Sequence, residues 1–186
     1  MDLYDAVSGG QTDAVQLLLD EGADVNARMS GANIHAHGGR FGNVIQAAAW
    51  NRRPEIIQLL LDKGAKVNAR GGLFGAALQA AASRGKIRVV QLLLDKSANV
   101  NAQGGHYGTA LQAASSEEEV EIVQLLLDRG ADVNVQGGIY ETTLQAAAYR
   151  GSTDIVRLLL DNAPTLAVLT QIPTDRCKSS SDLTSI

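Results

Sequence analysis

Apolar residues in this chain come in short, dense runs separated by polar breaks marked with glycine. In residues 104–136, Thr109 is a good N-cap, because its hydroxyl can accept from a free backbone N–H. The run Ala110–Glu117 is rich in Ala and Leu and predicts a short helix whose small residues let neighbours approach closely. In the next run, Val120–Arg129, residues Ile122, Val123, Leu125, Leu126 and Leu127 form a broad apolar stripe at helical spacing and predict a second helix. Gly130 stops it, since a left-handed backbone costs glycine nothing. Val133–Gly138 then predicts a hairpin or tight turn.

This pattern recurs. The string LLLD begins at Leu17, Leu59, Leu92, Leu125 and Leu158, with spacings of 42, 33, 33 and 33. A glycine pair begins at Gly38, Gly71, Gly104 and Gly137, always 33 apart. Residues 71–103 and 104–136 agree at 19 of 33 positions, which chance does not produce. The period is therefore 33, and the first interval carries nine extra residues, roughly Met29 to His37. One such helix pair cannot bury its own leucines. Stacked copies can, and each buried Leu then contributes roughly 1.5–3 kcal/mol.

Composition narrows the picture. Aromatics make up only 4% of the 186 residues, so the core must be Leu, Val, Ile and Ala. The net charge of −4 argues against a molecule-wide phosphate-binding surface, though not against a local basic patch. Cys177 is the only cysteine, so neither an intrachain disulfide nor a cysteine-based zinc site can form. No apolar run approaches the roughly 20 residues that span a bilayer. The start, Met1-Asp2-Leu3-Tyr4-Asp5, lacks the features of a signal peptide. A reducing, intracellular and cytoplasmic setting is expected.

The stretch Thr109-Ala110-Leu111-Gln112-Ala113-Ala114 matches the Thr-Pro-Leu-His-x-Ala signature of a known 33-residue repeat, with Ala for Pro and Gln for His. Glu121 through Asn134 matches its second half closely. Over residues 1 to about 163 the chain resembles an ankyrin repeat protein. Its Gly-Gly-x-Phe/Tyr-Gly-x-Ala-Leu-Gln-Ala-Ala variant is similar to arrays of filamentous fungi, which often end large receptors bearing a nucleotide-binding domain. The resemblance implies an all-α fold, an α-solenoid of about five stacked ankyrin-type helix pairs joined by hairpin loops. It divides the chain into a truncated first repeat (1–28), an insertion in the first hairpin loop (29–37), repeats two (38–70), three (71–103), four (104–136) and five (137–163), and a disordered tail (164–186). It also implies a concave groove lined by finger tips and first helices, protein binding, and no catalysis.

Departures from the family pattern carry expectations of their own. The family's histidine is Gln46, Gln79, Gln112 and Gln145 here. The cap is Asn43, Ala76, Thr109 and Thr142, so the third unit lacks a side-chain cap and should lose about 1 kcal/mol. The turn between helices holds Gly10, Gly85 and Gly151, but Arg52 and Glu118 in the other two units. Positive φ is expected at both, with strain on the order of 1 kcal/mol each. Leu3 aligns with Leu78, so the chain opens in mid-repeat, and neither end resembles a polar cap. Either the chain is a fragment of a longer array, or Leu166, Val168 and Leu169 fold over the last repeat as a cap. The insertion is a longer loop, retained intron sequence, or a binding finger.

The search for chemistry yields little. His35 and His37 have a spacing that can chelate zinc from a strand, but no third ligand lies nearby, so no metal is expected. Nothing positions a loop histidine for Ser-His-Asp catalysis. The glycine pairs lack the Lys and Ser/Thr of a phosphate loop. No catalytic residue, cofactor or small-molecule substrate is expected.

The columns that vary between units are more informative. Trp50, Ser83, Ser116 and Tyr149 share one column, and Asn51, Arg84, Glu117 and Arg150 the next. By family resemblance both face the groove. Arg40-Phe41, Leu73-Phe74, His106-Tyr107 and Ile139-Tyr140 should stand at the finger tips, where the aromatics either stack on one another or meet a partner. Trp50 is either a contact residue, whose removal weakens binding and hardly changes stability, or is shielded beneath the long insertion. Arg84, Glu117 and Arg150 could pair along the groove or form a bipolar surface that steers a partner. The acidic run Glu117, Glu118, Glu119 and Glu121 interrupts any basic stripe, so nucleic acid is not expected, nor a membrane.

The reading is a non-catalytic scaffold that binds a partner protein through Trp50, Asn51, Arg84, Glu117, Tyr149, Arg150, Arg40, Leu73, His106 and Ile139. The alternative is a sensor or autoinhibitory segment of a larger nucleotide-binding signalling receptor.

Overall fold

The computed structural model describes residues 1–28 and 41–163. The insertion with His35 and His37, Arg40, and the tail with its possible cap lie outside the described residues. Helices come in five consecutive pairs among the described residues: α1 (Leu3–Ser8) with α2 (Thr12–Asp20), α3 (Val44–Trp50) with α4 (Pro54–Asp62), α5 (Ala77–Ala82) with α6 (Ile87–Asp95), α7 (Ala110–Ser116) with α8 (Val120–Asp128), and α9 (Thr143–Arg150) with α10 (Thr153–Asn162). First helices pack on the next first helix and second helices on the next second helix, giving two layers.

The layers differ because their residues differ. First helices bury alanines such as Ala47, Ala48, Ala80, Ala81, Ala113 and Ala114, which bring backbones close. Second helices bury branched side chains: Ile56, Ile57 and Leu60, then Val89, Val90 and Leu93, then Ile122, Val123 and Leu126. One continuous apolar core runs through all five pairs.

The cap position starts each later first helix. Asn43, Thr109 and Thr142 accept from the backbone N–H three residues on. Ala76 offers no such bond. The glutamine three residues after the cap has two jobs. Its oxygen accepts from the cap region, from Gly42 N at 2.6 Å, Thr109 N at 2.8 Å and Thr142 N at 3.1 Å for Gln46, Gln112 and Gln145. Its amide donates to the finger of the following unit: Gln46 to Gly75 O at 3.0 Å, Gln79 to Ala102 O at 3.0 Å, and Gln112 to Gly137 O at 2.9 Å and Glu141 O at 3.1 Å. In the unit without a cap, the buried Gln79 Oε1 has no partner. Ala76→Thr should rebuild the box and raise stability by about 1 kcal/mol in a urea melt. A lower midpoint would mean the threonine does not fit.

Two further ladders join neighbours. Asn26, Asn68 and Asn101 each donate to a carbonyl ending the next unit's second helix (Gly64, Ser97 and Gly130). Each also accepts a backbone N–H two residues beyond, from Lys66, Asn99 and Asp132. On the outer face Lys63 pairs with Asp20 at 2.7 Å and Arg129 with Asp95 at 3.0 Å. Hydrogen bonds from Lys63 and Gln16 hold the Asp20 carboxyl below its ordinary pKa.

Arg52 has φ 66° and Glu118 φ 62°, the left-handed backbone expected of them. Ser97 at φ 64° and Glu141 at φ 60° also take it, in columns where sister units carry glycine. At Gly105 and Gly138, an added Cβ would lie 2.3 Å from the backbone of the preceding finger, so only glycine lets the fingers touch.

Candidate partner-binding face

Each finger leaves its second helix, turns at the glycine pair and enters the next first helix. Short bridges close two of them, Gly71 with Gly75 and Gly104 with Gly108. Neighbouring tips are joined through the backbone: His106 N donates to Leu73 O at 2.6 Å, and Ile139 N to His106 O at 3.0 Å. These three tip residues therefore stand in a fixed row. Leu73 and Ile139 are exposed (39% and 53%), and so is His106.

The aromatic member of each tip pair behaves differently from its neighbour. Phe41 and Phe74 are buried. Phe41 stacks on Phe74 with ring centroids 5.8 Å apart, and Phe74 on Tyr107 at 6.4 Å. The rings brace the fingers from beneath, and the tips present the aliphatic and imidazole side chains.

Trp50 joins this stack. Its ring lies 4.5 Å from Phe74 and 5.7 Å from Phe41, and it is half-buried. Its loss is therefore expected to lower stability as well as binding, unlike the sequence expectation of a residue that only makes contacts. The Arg84 guanidinium covers the indole at 4.4 Å, a cation–π contact. Arg84 and Glu117 form no ion pair, and of the series Arg84, Glu117 and Arg150 only the last two pair, at 3.7 Å.

Glu117 Oε1 also accepts from the Tyr107 hydroxyl at 2.9 Å. Burial first, and that donated bond second, push the Tyr107 phenol up to about 12. The folded pKa exceeds the unfolded value near 10.0, so the associated stability is complete below 10.0 and is lost as pH rises toward 12. Subtracting the phenolate absorbance titration of Tyr107→Phe from that of the wild type should leave a step centred near 12. A step near 10.0 would show the phenol to be solvated.

Asn51 donates to Ser8 O at 3.1 Å and so tethers the preceding unit. Tyr149 is 72% exposed and leans on Tyr140, ring centroids 5.6 Å apart. The face thus gathers the tips Leu73, His106 and Ile139, the Trp50–Arg84 pair, and Glu117 with Arg150. Tyr107 was missing from the sequence-based site, because its role depends on reaching Glu117 ten residues away. Among the described residues no group of three His, Cys, Asp or Glu is placed to hold a metal ion. Nor is any described helix long and apolar enough to cross a membrane.

Family models agree with the repeat seen in the fold. A model of three ankyrin repeats matches residues 44–137, and a single ankyrin repeat model matches residues 3–30 and 140–168. A search of curated proteins finds no match.

Proposed function

The chain belongs to the ankyrin repeat family, and from that premise we propose that it is a non-catalytic scaffold holding a partner protein in a concave groove. The alanine-rich first-helix layer packs more closely than the leucine-rich second layer, which favours curvature toward the first helices and the fingers. Trp50, Asn51, Arg84, Glu117, Tyr149 and Arg150 line the wall of this groove, and Leu73, His106 and Ile139 its rim. Arg40 would extend the rim in the preceding unit.

One observation carries the reading: the backbone hydrogen bonds that hold Leu73, His106 and Ile139 in register while leaving two large apolar side chains in solvent. Backbone order that leaves apolar side chains uncovered lowers the entropy cost of docking. Tyr149 adds an exposed aromatic of the type that dominates binding hot spots.

The test is cross-linked capture from the source cell with wild type and with the variant Leu73→Ser, Ile139→Ser, Tyr149→Ala. Leu73 is partly covered and Tyr149 leans on Tyr140, so the variant should melt somewhat below the wild type while still unfolding cooperatively. A protein captured by the wild type should be lost. A partner retained at full yield would place binding elsewhere.

A further inference from the structure

The turns between helices lie at the opposite ends of the first helices from the fingers. Between the turns of the second and third units there is a cleft of about 650 Å³, lined by Asn51 to Glu55 and Gly85 to Val89. Arg52, Arg53, Lys86 and Arg88 stand around it against two carboxylates, Glu55 on its wall and Glu119 over Gly85. None of the four cations is in an ion pair among the described residues. Unpaired cations on the walls of a concavity reinforce one another's field, because the low-dielectric walls focus it.

We propose that this cleft is a second binding site, taking a short acidic segment of a protein partner. Three features specify that ligand. The excess of positive charge calls for carboxylates. The walls also carry Pro54 and the exposed Ile87, which suit an apolar residue within the acidic run. The positive stretch is short. The next turn along the same edge carries Glu118 and Glu121, both exposed, and Glu119, whose carboxylate lies over Gly85. A long polyanion following the edge would meet all three acids, whereas a segment of a few residues stops short of Glu118 and Glu121. Arg53 itself reaches back over Gly10, so Arg52, Lys86 and Arg88 make the principal contacts.

The experiment titrates the full chain with a peptide Glu-Asp-Glu-Leu-Glu-Asp-Glu, followed by calorimetry and by amide shifts. Expected are saturable binding that weakens with salt, shifts confined to residues 52–55 and 85–89, and no binding of the Gln/Asn counterpart. Lys86→Glu with Arg88→Glu should weaken binding at least about tenfold, since two attractive charge contacts become repulsive. Acidic residues at the start of α6 are compatible with the helix, so this variant should fold, as its thermal melt will show. The same variant should gain affinity for a Lys-Arg-Lys-Leu-Lys-Arg-Lys peptide. The proposal is overturned if the acidic peptide does not bind the wild type at low salt, if the variant binds it equally, or if the shifts fall on the finger tips. Tighter binding of a single-stranded oligonucleotide, or self-association of the chain through this edge, would also overturn it. The finger-tip variant should leave this binding unchanged, so the two sites are tested separately.

Discussion

Leu126→Ala should lower the unfolding free energy by about 2–5 kcal/mol. Leu126 is fully buried in α8, a helix packed between α6 and α10. Its removal takes contacts from both neighbours at once and leaves a cavity that regularly stacked helices cannot close. In a repeat array, a weakened unit also loses its two interfaces, so the effect should appear as one lower urea midpoint rather than a new local transition. Leu17→Ala is the control. Leu17 begins the same LLLD string but is 59% exposed, so its loss should stay within about 0.5 kcal/mol. A Leu126→Ala variant costing less than about 1 kcal/mol would refute this packing register.

Gln112→Leu should cost about 2–4 kcal/mol although it replaces a polar core residue by an apolar one of similar size. The substitution leaves the Thr109 N–H without its acceptor and the Gly137 carbonyl without its donor, while the Glu141 carbonyl keeps the Gly137 N–H at 2.8 Å. A buried polar group so abandoned costs about 1–3 kcal/mol. Gln79→Leu should cost less, since Gln79 Oε1 has no partner to lose. Gln145 bonds only within its own cap among the described residues, and it should matter least. Equal losses at all three positions would show that the glutamines contribute bulk rather than hydrogen bonds. Urea melts of the three variants decide it.

The sequence made plain whatever rests on local rules. The 33-residue period, the helix starts at Ala110 and Val120, the missing cap at Ala76 and the left-handed turns at Arg52 and Glu118 follow from which residues tolerate which backbone. Ser97 and Glu141 obey the same rule and were legible in the aligned columns, where glycine is replaced. What could not be read was set by the distance between neighbouring units. Trp50 has no aromatic neighbour in sequence but faces Phe74 from the next unit. Arg84 could have met Glu117 or Trp50, and the stacking geometry selected the indole. The asparagine ladder was likewise hidden, because each link spans 29 or more residues.

Every such link reaches the adjoining unit and stops there. Among the described residues no strut runs the length of the stack, so a pull on one end travels in series through every unit. The poorest unit then governs the whole. Ala76 and the orphaned oxygen of Gln79, both within the third unit, put it at the start of α5, near the middle of the column. A partner gripping units on both sides of that helix would act as a splint, and would make the assembled protein stiffer than the scaffold that holds it.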